Sequence, residues 1–435
     1  MAGPLGFFIV DVKTRKILAI CLGVTLLLFA IGILIGYFSG HGSQSTSKSP
    51  SQESVADAIR SSCHVMTKQT PTGSTYFDRY LERHSGKTAC VNKPEGCWDF
   101  GLPRNYIAYH LQGKVINIDG KLDDDAWNEV PWSETFVDMR SKVFPKPYFD
   151  TKFKIRWDDA RMYIGAYIQE KDLWATQQEH DSSIYRENGF EVLIDADGSM
   201  FNYKQAQINV LGTMLDLILA KSPYDAPWGE VANVQWHANA EKAVYPEGTV
   251  NTPGDTDKYW SVEISLPFHS LAEQSVRPQP KPSDNQVWFI QFGRSEQKLI
   301  VSNGHYEIAP NSTTDWWSWQ PCDTINLHLQ DRWGLVQFKH SIQDKKFRFD
   351  KWHIYKSLFD MMNAMKKFKA INGFYTKTIE ELDVPPYLLS RTCVEIPEIK
   401  LIKSENGTDF DVTVKSMFLS HAPAHIRSDR YVTFK

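Results

Sequence analysis

The chain has 435 residues, of which 42% are hydrophobic and 23% are charged, and its formal net charge is -4. This length and composition predict a globular protein of about two or three domains with a substantial core. The charge argues against a nucleic-acid partner, because proteins that neutralise many phosphates usually carry a basic excess or stripe.

The first predicted element is an apolar run from Ile17 to Phe38 that contains no charged side chain. It is about as long as a bilayer-spanning helix needs to be. Lys13, Arg15 and Lys16 precede it, and such a positive flank is expected to stay in the cytosol. We therefore expect a cytosolic tail (1–16), a transmembrane signal-anchor (17–38) and a single-pass type II protein whose C-terminal part is lumenal or extracellular. A cleaved signal peptide is the alternative, although its apolar core is usually only ~7 to 15 residues long.

The segment after the apolar run, residues 39–62, is rich in Ser and has few apolar side chains. This composition predicts a flexible stalk. Two sequons, at Asn311 and Asn406, are candidate glycosylation sites. They agree with a lumenal or extracellular position of the C-terminal part.

Five cysteines lie on the predicted lumenal side: Cys63, Cys90, Cys97, Cys322 and Cys393. Disulfides persist in such a compartment, and an odd number leaves at least one thiol unpaired within the chain. The first three belong to a lead-in segment, residues 63–105, and we expect one local disulfide among them. A zinc site with His64 and His84 is the alternative, although the spacing matches no common zinc motif.

Three predicted strands follow between Thr151 and Gly198. In the third, Phe190 and Val192 lie on one face, so Glu191 and Asp195 lie on the other. A carboxylate held on a strand face is a candidate ligand-binding group. Further alternating segments continue to Phe338, and many short strands separated by turns predict an all-β antiparallel sandwich, jelly-roll-like, over residues 106–338.

The last part, residues 339–435, predicts a small α+β appendage. Between Trp352 and Phe368 apolar residues recur at helical spacing opposite several lysines, which predicts an amphipathic helix. This helix either packs on the sandwich or lies on a membrane surface. A capping-box pattern at 378–381 predicts a second short helix, and alternation from Phe410 predicts a strand.

The order of motifs in the sandwich resembles the family 9 carbohydrate-binding modules, which are sugar-binding β-sandwiches of the DOMON-like group. The resemblance covers roughly half of the chain. The motifs that carry it are INIDGKLDDDAWNEVP (116–131), FEVLIDADG (190–198), YWSVEISLPFHSL (259–271), VWFIQFGRSEQ (287–297) and WWSWQPCDTINLHLQDRWGLVQF (316–338).

This resemblance implies a non-catalytic ectodomain that binds a sugar or glycan and needs no cofactor. It places Tyr185 at one aromatic of a two-sided clamp, Glu191 at a hydroxyl-binding acid and Gln291 at an amide on a later strand. Asn209 stands where the family has a basic residue. The second clamp aromatic has no counterpart, and His328 lies near its expected position.

The resemblance also implies that acidic turn residues at the start of the sandwich help to hold a structural calcium ion. Asp119 and Asp123 offer the hard oxygens that calcium requires, but six to eight ligands would have to converge. Solvated turn carboxylates are the alternative.

Three other functions remain open. One is a protein-interaction ectodomain that has lost sugar binding. Another is a glycan-active hydrolase, in which Glu191 and either Asp195 or Glu263 would supply two carboxylates ~5 to 10 Å apart. The third is a haem-binding domain with Met and His ligands.

Overall fold

The computed structural model describes Cys97 and residues 100–141, 143–404, 407–420 and 423–434. The predicted signal-anchor, the stalk, Cys63, Cys90 and Asn406 therefore lie outside the described residues. None of the helices within those ranges is long and apolar enough to cross a membrane.

Alternating apolar and polar residues form fifteen strands in the segment that was predicted to be a sandwich. They are β1 (Asn105–His110), β2 (Val137–Asp138), β3 (Thr151–Trp157), β4 (Arg161–Gln169), β5 (Gly189–Asp195), β6 (Tyr203–Ile208), β7 (Met214–Leu219), β8 (Ala232–Asn233), β9 (Glu241–Glu247), β10 (Tyr259–Pro267), β11 (Val287–Glu296), β12 (Leu299–Ser302), β13 (His305–Ile308), β14 (Asp315–Ser318) and β15 (Gly334–Lys339). Three short helices lie among them: α1 (Asp125–Asn128), α2 (Trp228–Val231) and α3 (Phe268–Ala272).

Thirteen of these strands form one sheet in the order β8-β7-β6-β5-β11-β15-β1-β3-β4-β10-β9, with β14 joining β11 to β2. The strands β12 and β13 form a separate hairpin. The predicted antiparallel pairing is confirmed except at β1, which runs parallel to both β15 and β3. This strand joins the two halves of the sheet.

The sheet curls on itself, so that the inner faces of β5 and β11 meet those of β3 and β4 across one core. Phe153 of β3 stacks on Phe292 of β11 with ring centroids 3.8 Å apart. Such large apolar side chains each contribute about 1.5–3 kcal/mol when fully buried. The inner faces therefore account for the period-2 pattern in the sequence.

The outer face of one half of the sheet is also apolar, and a long helix covers it. Leu193, Phe289 and Leu335 point away from the first core and join a second one with α4 (Trp352–Asn372). The ring of Tyr355 lies 4.9 Å from that of Phe289. The prediction that this helix packs on the sandwich is confirmed, and the alternative of a membrane-surface helix is wrong.

A four-stranded sheet follows α4 and packs on it. Its strands are β16 (Glu398–Ser404), β17 (Gly407–Val414), β18 (Ala424–Arg427) and β19 (Val432–Phe434), paired in chain order. The second short helix predicted near Thr378 is a single 3-10 turn, Ile379–Glu381, without a side-chain cap. Pro385 and Pro386 follow too closely for an α-helix to extend.

The cysteines pair across the described part of the chain. Cys97 bonds to Cys393, 296 residues away, with their Cα atoms 5.7 Å apart. Cys97 is therefore not part of a local bridge as predicted, because its partner follows α4. Cys322 is unpaired and buried, and burial raises the pKa of its thiol to about 12.

Candidate functional site

The predicted acid Glu191 lies at the centre of the outer face of the sheet. Its strand, β5, lies between β6 and β11, and Glu191 is directly opposite Gln207 on one side and Gly293 on the other. Residues directly opposite each other in an antiparallel pair share a face. The alternation in β5 therefore predicted the direction of Glu191 correctly.

The Glu191 carboxyl group is buried and has a neutral partner. Gln205 Nε2 donates a 2.8 Å hydrogen bond to Glu191 Oε2. Burial raises the pKa of Glu191 to about 7, against the lowering effect of the Gln205 hydrogen bond. Glu191 forms no ion pair with Arg294, because Arg294 lies on the inner face and pairs with Glu170 and Glu296.

The two glutamines beside Glu191 have unmet hydrogen-bonding capacity. Gln205 Oε1 and both amide atoms of Gln207 are buried without a hydrogen-bond partner. Leaving such a group unpaired costs about 1–3 kcal/mol. We refer to Glu191, Gln205 and Gln207 together as the Glu191 patch; its free amide atoms are suited to a ligand that both donates and accepts hydrogen bonds.

A glycine lies beside the patch, and a leucine side chain packs against it. A Cβ at Gly293 would lie 2.4 Å from Leu327 Cδ1 and 2.8 Å from Glu191 Oε1. Leu327 thus closes over the sheet at this glycine. Trp316 of β14 is opposite Ser295, so it lies on the same outer face and is only half-buried.

Tyr185 is an exposed aromatic residue in the turn before β5. It lies in the 3-10 turn Ile184–Arg186, which leads directly into β5 and contacts β6. The residue is 47% exposed. It can therefore present a ring face to a ligand at this end of β5.

Two predicted binding amides are held by neighbouring loops. Asn209 accepts hydrogen bonds from the backbone of Leu211 and Thr213, and its Nδ2 donates to the carbonyl of Gln177 at 2.9 Å. Gln291 Nε2 donates to the carbonyl of Gln320 at 2.6 Å, and its Oε1 accepts from the amide of the same residue. In this structure both side chains position loops around the patch.

His328 follows Leu327 in the chain and is partly buried. Its Nδ1 lies 2.9 Å from the Tyr203 hydroxyl, and burial lowers its pKa to about 4. The ring is therefore neutral at physiological pH. It belongs to the segment that closes over the patch, and its stacking on a sugar remains a prediction.

The acidic residues proposed for calcium hold their own turn. Asp119 Oδ1 accepts the amide of Lys121 at 2.9 Å, and Asp123 is exposed. Within the described ranges, the one group of three or more potential side-chain ligands is elsewhere, at His180, Asp216 and His237. The calcium site stays a prediction, and these carboxylates would need backbone or water oxygens to complete it.

Gln205 was not identified from the sequence as a site residue. It alternates with Gln207 in the segment Tyr203–Ile208, so both amides lie on one face. The sequence could have indicated Gln205, because it alternates with Gln207 in the segment that follows the strand of Glu191.

Comparison with known proteins identifies a related domain in this part of the chain. Residues 118–214 match the family model described as carbohydrate family 9 binding domain-like. The match includes Tyr185, Glu191 and Asn209, whereas Gln291 and His328 lie beyond it. A search of curated proteins found no match.

The solved structures to which this chain is similar include the following two proteins. A family 9 carbohydrate-binding module from Caldicellulosiruptor kristjanssonii, in complex with glucose, is 16% identical and covers 55% of this chain and 97% of its own, with a TM-score of 0.35. A putative carbohydrate-binding protein from Bacteroides uniformis is 12% identical and covers 55% of this chain and 100% of its own, with a TM-score of 0.40.

Proposed function

We propose that this chain binds carbohydrate through the Glu191 patch and Tyr185 and has no catalytic activity of its own. The observation that carries the proposal is the set of unpaired buried amide atoms on Gln205 and Gln207. The match of residues 118–214 to a carbohydrate-binding family supports it.

Sugar hydroxyls fit the chemistry of the patch. Each hydroxyl both donates and accepts, so one ring can pair with Gln207 Nε2, Gln207 Oε1 and the Glu191 carboxyl group. The ring of Tyr185 supplies an apolar surface for the C–H face of a sugar. A purely apolar ligand would leave the same amide atoms unpaired.

The positions of the carboxylates do not favour a glycosidase. Glu191 and Asp195 lie on one strand four residues apart, which separates their Cα atoms by about 13 Å. Retaining and inverting glycosidases hold their carboxyl groups about 5–10 Å apart. Glu263 is engaged elsewhere, since it accepts hydrogen bonds from Trp127 Nε1 and the amide of Gly120.

We propose supporting roles for the remaining predicted residues. Asn209 would hold the turn after β6, and Gln291 would hold the segment that begins at Gln320. His328 would keep Leu327 beside Gly293. Each would therefore affect sugar binding through the shape of the patch.

We further propose that the domain is displayed on the non-cytosolic side of a membrane, tethered through residues 17–38. The uncharged run of that segment and the sequons support this topology. Asn311 is exposed, as a glycan acceptor must be. Expression of the full chain in cells should give a glycosidase-sensitive band shift that decreases in Asn311→Gln.

The binding proposal is tested by titrating the purified full chain with glucose and cello-oligosaccharides in a calorimeter, alongside a glycan array. Glu191→Ala and Gln207→Leu should each weaken binding at least about 10-fold, since they remove hydrogen bonds to the ligand. Gln235→Leu, at an exposed glutamine, is the matched control and should bind as the wild type does. Unchanged affinity in both patch variants would contradict the assignment.

A further inference from the structure

Two histidines and an aspartate from separate segments meet at the edge of the large sheet. His180 lies in the loop between β4 and β5, Asp216 lies on β7, and His237 follows β8. His180 Nε2 is 3.2 Å from His237 Nδ1. Asp216 Oδ1 is 3.8 Å from the first nitrogen and 3.6 Å from the second.

The Asp216 carboxylate has an oxygen with no partner. Its Oδ2 accepts the amide of Ala238 at 3.1 Å. Its Oδ1 is buried and has no hydrogen-bond partner, although it faces both imidazoles. A buried carboxylate oxygen without a hydrogen bond is costly unless a positive charge, such as a bound cation, compensates for its burial.

We infer that His180, Asp216 and His237 form a binding site for a divalent transition-metal ion, with zinc as the best match. Zinc binds imidazole nitrogen at about 2.0–2.1 Å and carboxylate oxygen at about 2.0–2.2 Å in tetrahedral geometry. Ligand atoms on such a tetrahedron are about 3.3–3.6 Å apart. The three separations at this site, 3.2, 3.6 and 3.8 Å, lie close to that range.

The chemical type of the ligand atoms indicates which kind of metal ion would bind. Imidazole ligands suit zinc and neighbouring transition metals, whereas calcium takes six to eight oxygens. With three protein ligands, a fourth tetrahedral position is left for water or for Asp181, whose Oδ1 is 3.5 Å from His180 Nε2. The imidazoles are 46% and 57% exposed, so an ion can enter from solvent.

The metal site is separate from the Glu191 patch. Asp216 is directly opposite Ala206 and shares its inward-facing side of the sheet, whereas Gln207 and Leu215 face outward. A bound ion would link three segments of the chain: the loop that contains His180, the strand β7 and the segment after β8. The inference therefore does not depend on carbohydrate binding.

Titration of the metal-free full chain, without any histidine tag, with Zn²⁺ in a calorimeter tests the inference. We expect one high-affinity site, and His180→Ala and His237→Ala should each weaken it at least about 100-fold, because even residues that only support metal ligands affect affinity by about 10–100-fold. His305→Ala, at an exposed histidine outside the cluster, should leave the affinity unchanged.

Co²⁺ provides a second measurement, since a tetrahedral site with this donor set gives visible absorption bands that the two variants should lose. Thermal melts show that each variant is folded, and Zn²⁺ should raise the melting temperature of the wild type only. The inference would be overturned if the folded wild type bound no zinc, or if both variants bound zinc as tightly as the wild type. In that outcome the 3.2 Å contact between the two imidazoles is only a hydrogen bond.

Discussion

Glu191 lies on a sheet face but is buried. It is 4% exposed, and it accepts a hydrogen bond from the neutral amide of Gln205. Burial therefore places its titration at about pH 7. Near neutral pH the group exchanges between an acid that can donate a hydrogen bond and a carboxylate that can only accept.

This titration predicts a pH-dependent stability that the substitution Glu191→Gln should remove. The folded protein holds the proton up to about pH 7, whereas an unfolded glutamate releases it near its ordinary value of 4.5. The free energy of unfolding contributed by this residue therefore falls as the pH rises through that window. Glu191→Gln should be more stable than the wild type at pH 8, by up to about 3 kcal/mol, and not at pH 4.

Urea denaturation of both proteins at pH 4, 6 and 8 measures this difference directly. Other buried acids such as Asp195 titrate in both proteins and cancel in the comparison. A constant difference across the three pH values would show that Glu191 keeps one charge state.

The strands were largely predictable from the sequence because each needs only local information. Alternation indicated β3, β4 and β5 together with the direction of Glu191, and the register confirms it. The hydrogen-bond partners of Asn209 and Gln291 could not be predicted in the same way. Their amide atoms bond to Gln177 and Gln320, and a strand's own pattern says nothing about loops that arrive from elsewhere.

The same reasoning explains what the sequence did not reveal at the sheet edge. His180, Asp216 and His237 belong to three segments with no shared motif or spacing. The pairing of β7 with β8 brings the segment of His237 to Asp216, and the amide of Asp181 bonds to the carbonyl of Met214 at the start of β7. Such a site is recognisable only once the tertiary fold is known.

At the scale of single elements, β15 depends on having a glycine at its start. A Cβ at Gly334 would lie 2.3 Å from Cζ3 of Trp319, whose ring is fully buried. A rigid indole cannot move aside as a flexible side chain can. We expect Gly334→Ala to lower the free energy of unfolding by about 1–3 kcal/mol, which is the usual cost of overpacking.

Chemical denaturation of Gly334→Ala beside Gly229→Ala tests this prediction. A Cβ at Gly229, in α2, would meet nothing within 4 Å. The control should therefore be as stable as the wild type or slightly more stable, because alanine favours a helix. Equal effects of the two substitutions would mean that Trp319 can shift.

At the scale of the whole molecule, the C-terminal helix and sheet are a structural part of the sandwich. They cover Leu193 and Phe289, which lie on the same outer face as Glu191. A buried ion pair adds to the apolar contact, since Arg430 Nη1 lies 2.6 Å from Asp331 Oδ1.

Removal of Arg430 should therefore destabilise the folded protein. Burial alone would raise the pKa of Asp331, but the charges of Arg430 and Arg332 lower it overall, so the carboxylate stays ionised. Arg430→Met leaves this buried charge incompletely paired and should cost about 3 kcal/mol. Arg427→Met is the control, because its ion pair with Asp429 is partly exposed to solvent and should contribute at most about 1 kcal/mol.

Thermal and urea unfolding of the two arginine variants provide the comparison. Similar losses of unfolding free energy in the two variants would indicate that apolar contact alone holds the C-terminal helix and sheet in place.

The bridge between Cys97 and Cys393 closes almost the entire described chain into a covalent ring. A protease that cuts one surface loop inside this ring produces two fragments that stay joined until a reductant is added. Through the disulfide, the C-terminal fragment also remains attached to the residues that precede Cys97. Separation of the C-terminal fragment from the residues that precede Cys97 therefore requires reduction of the disulfide as well as a cut within the ring.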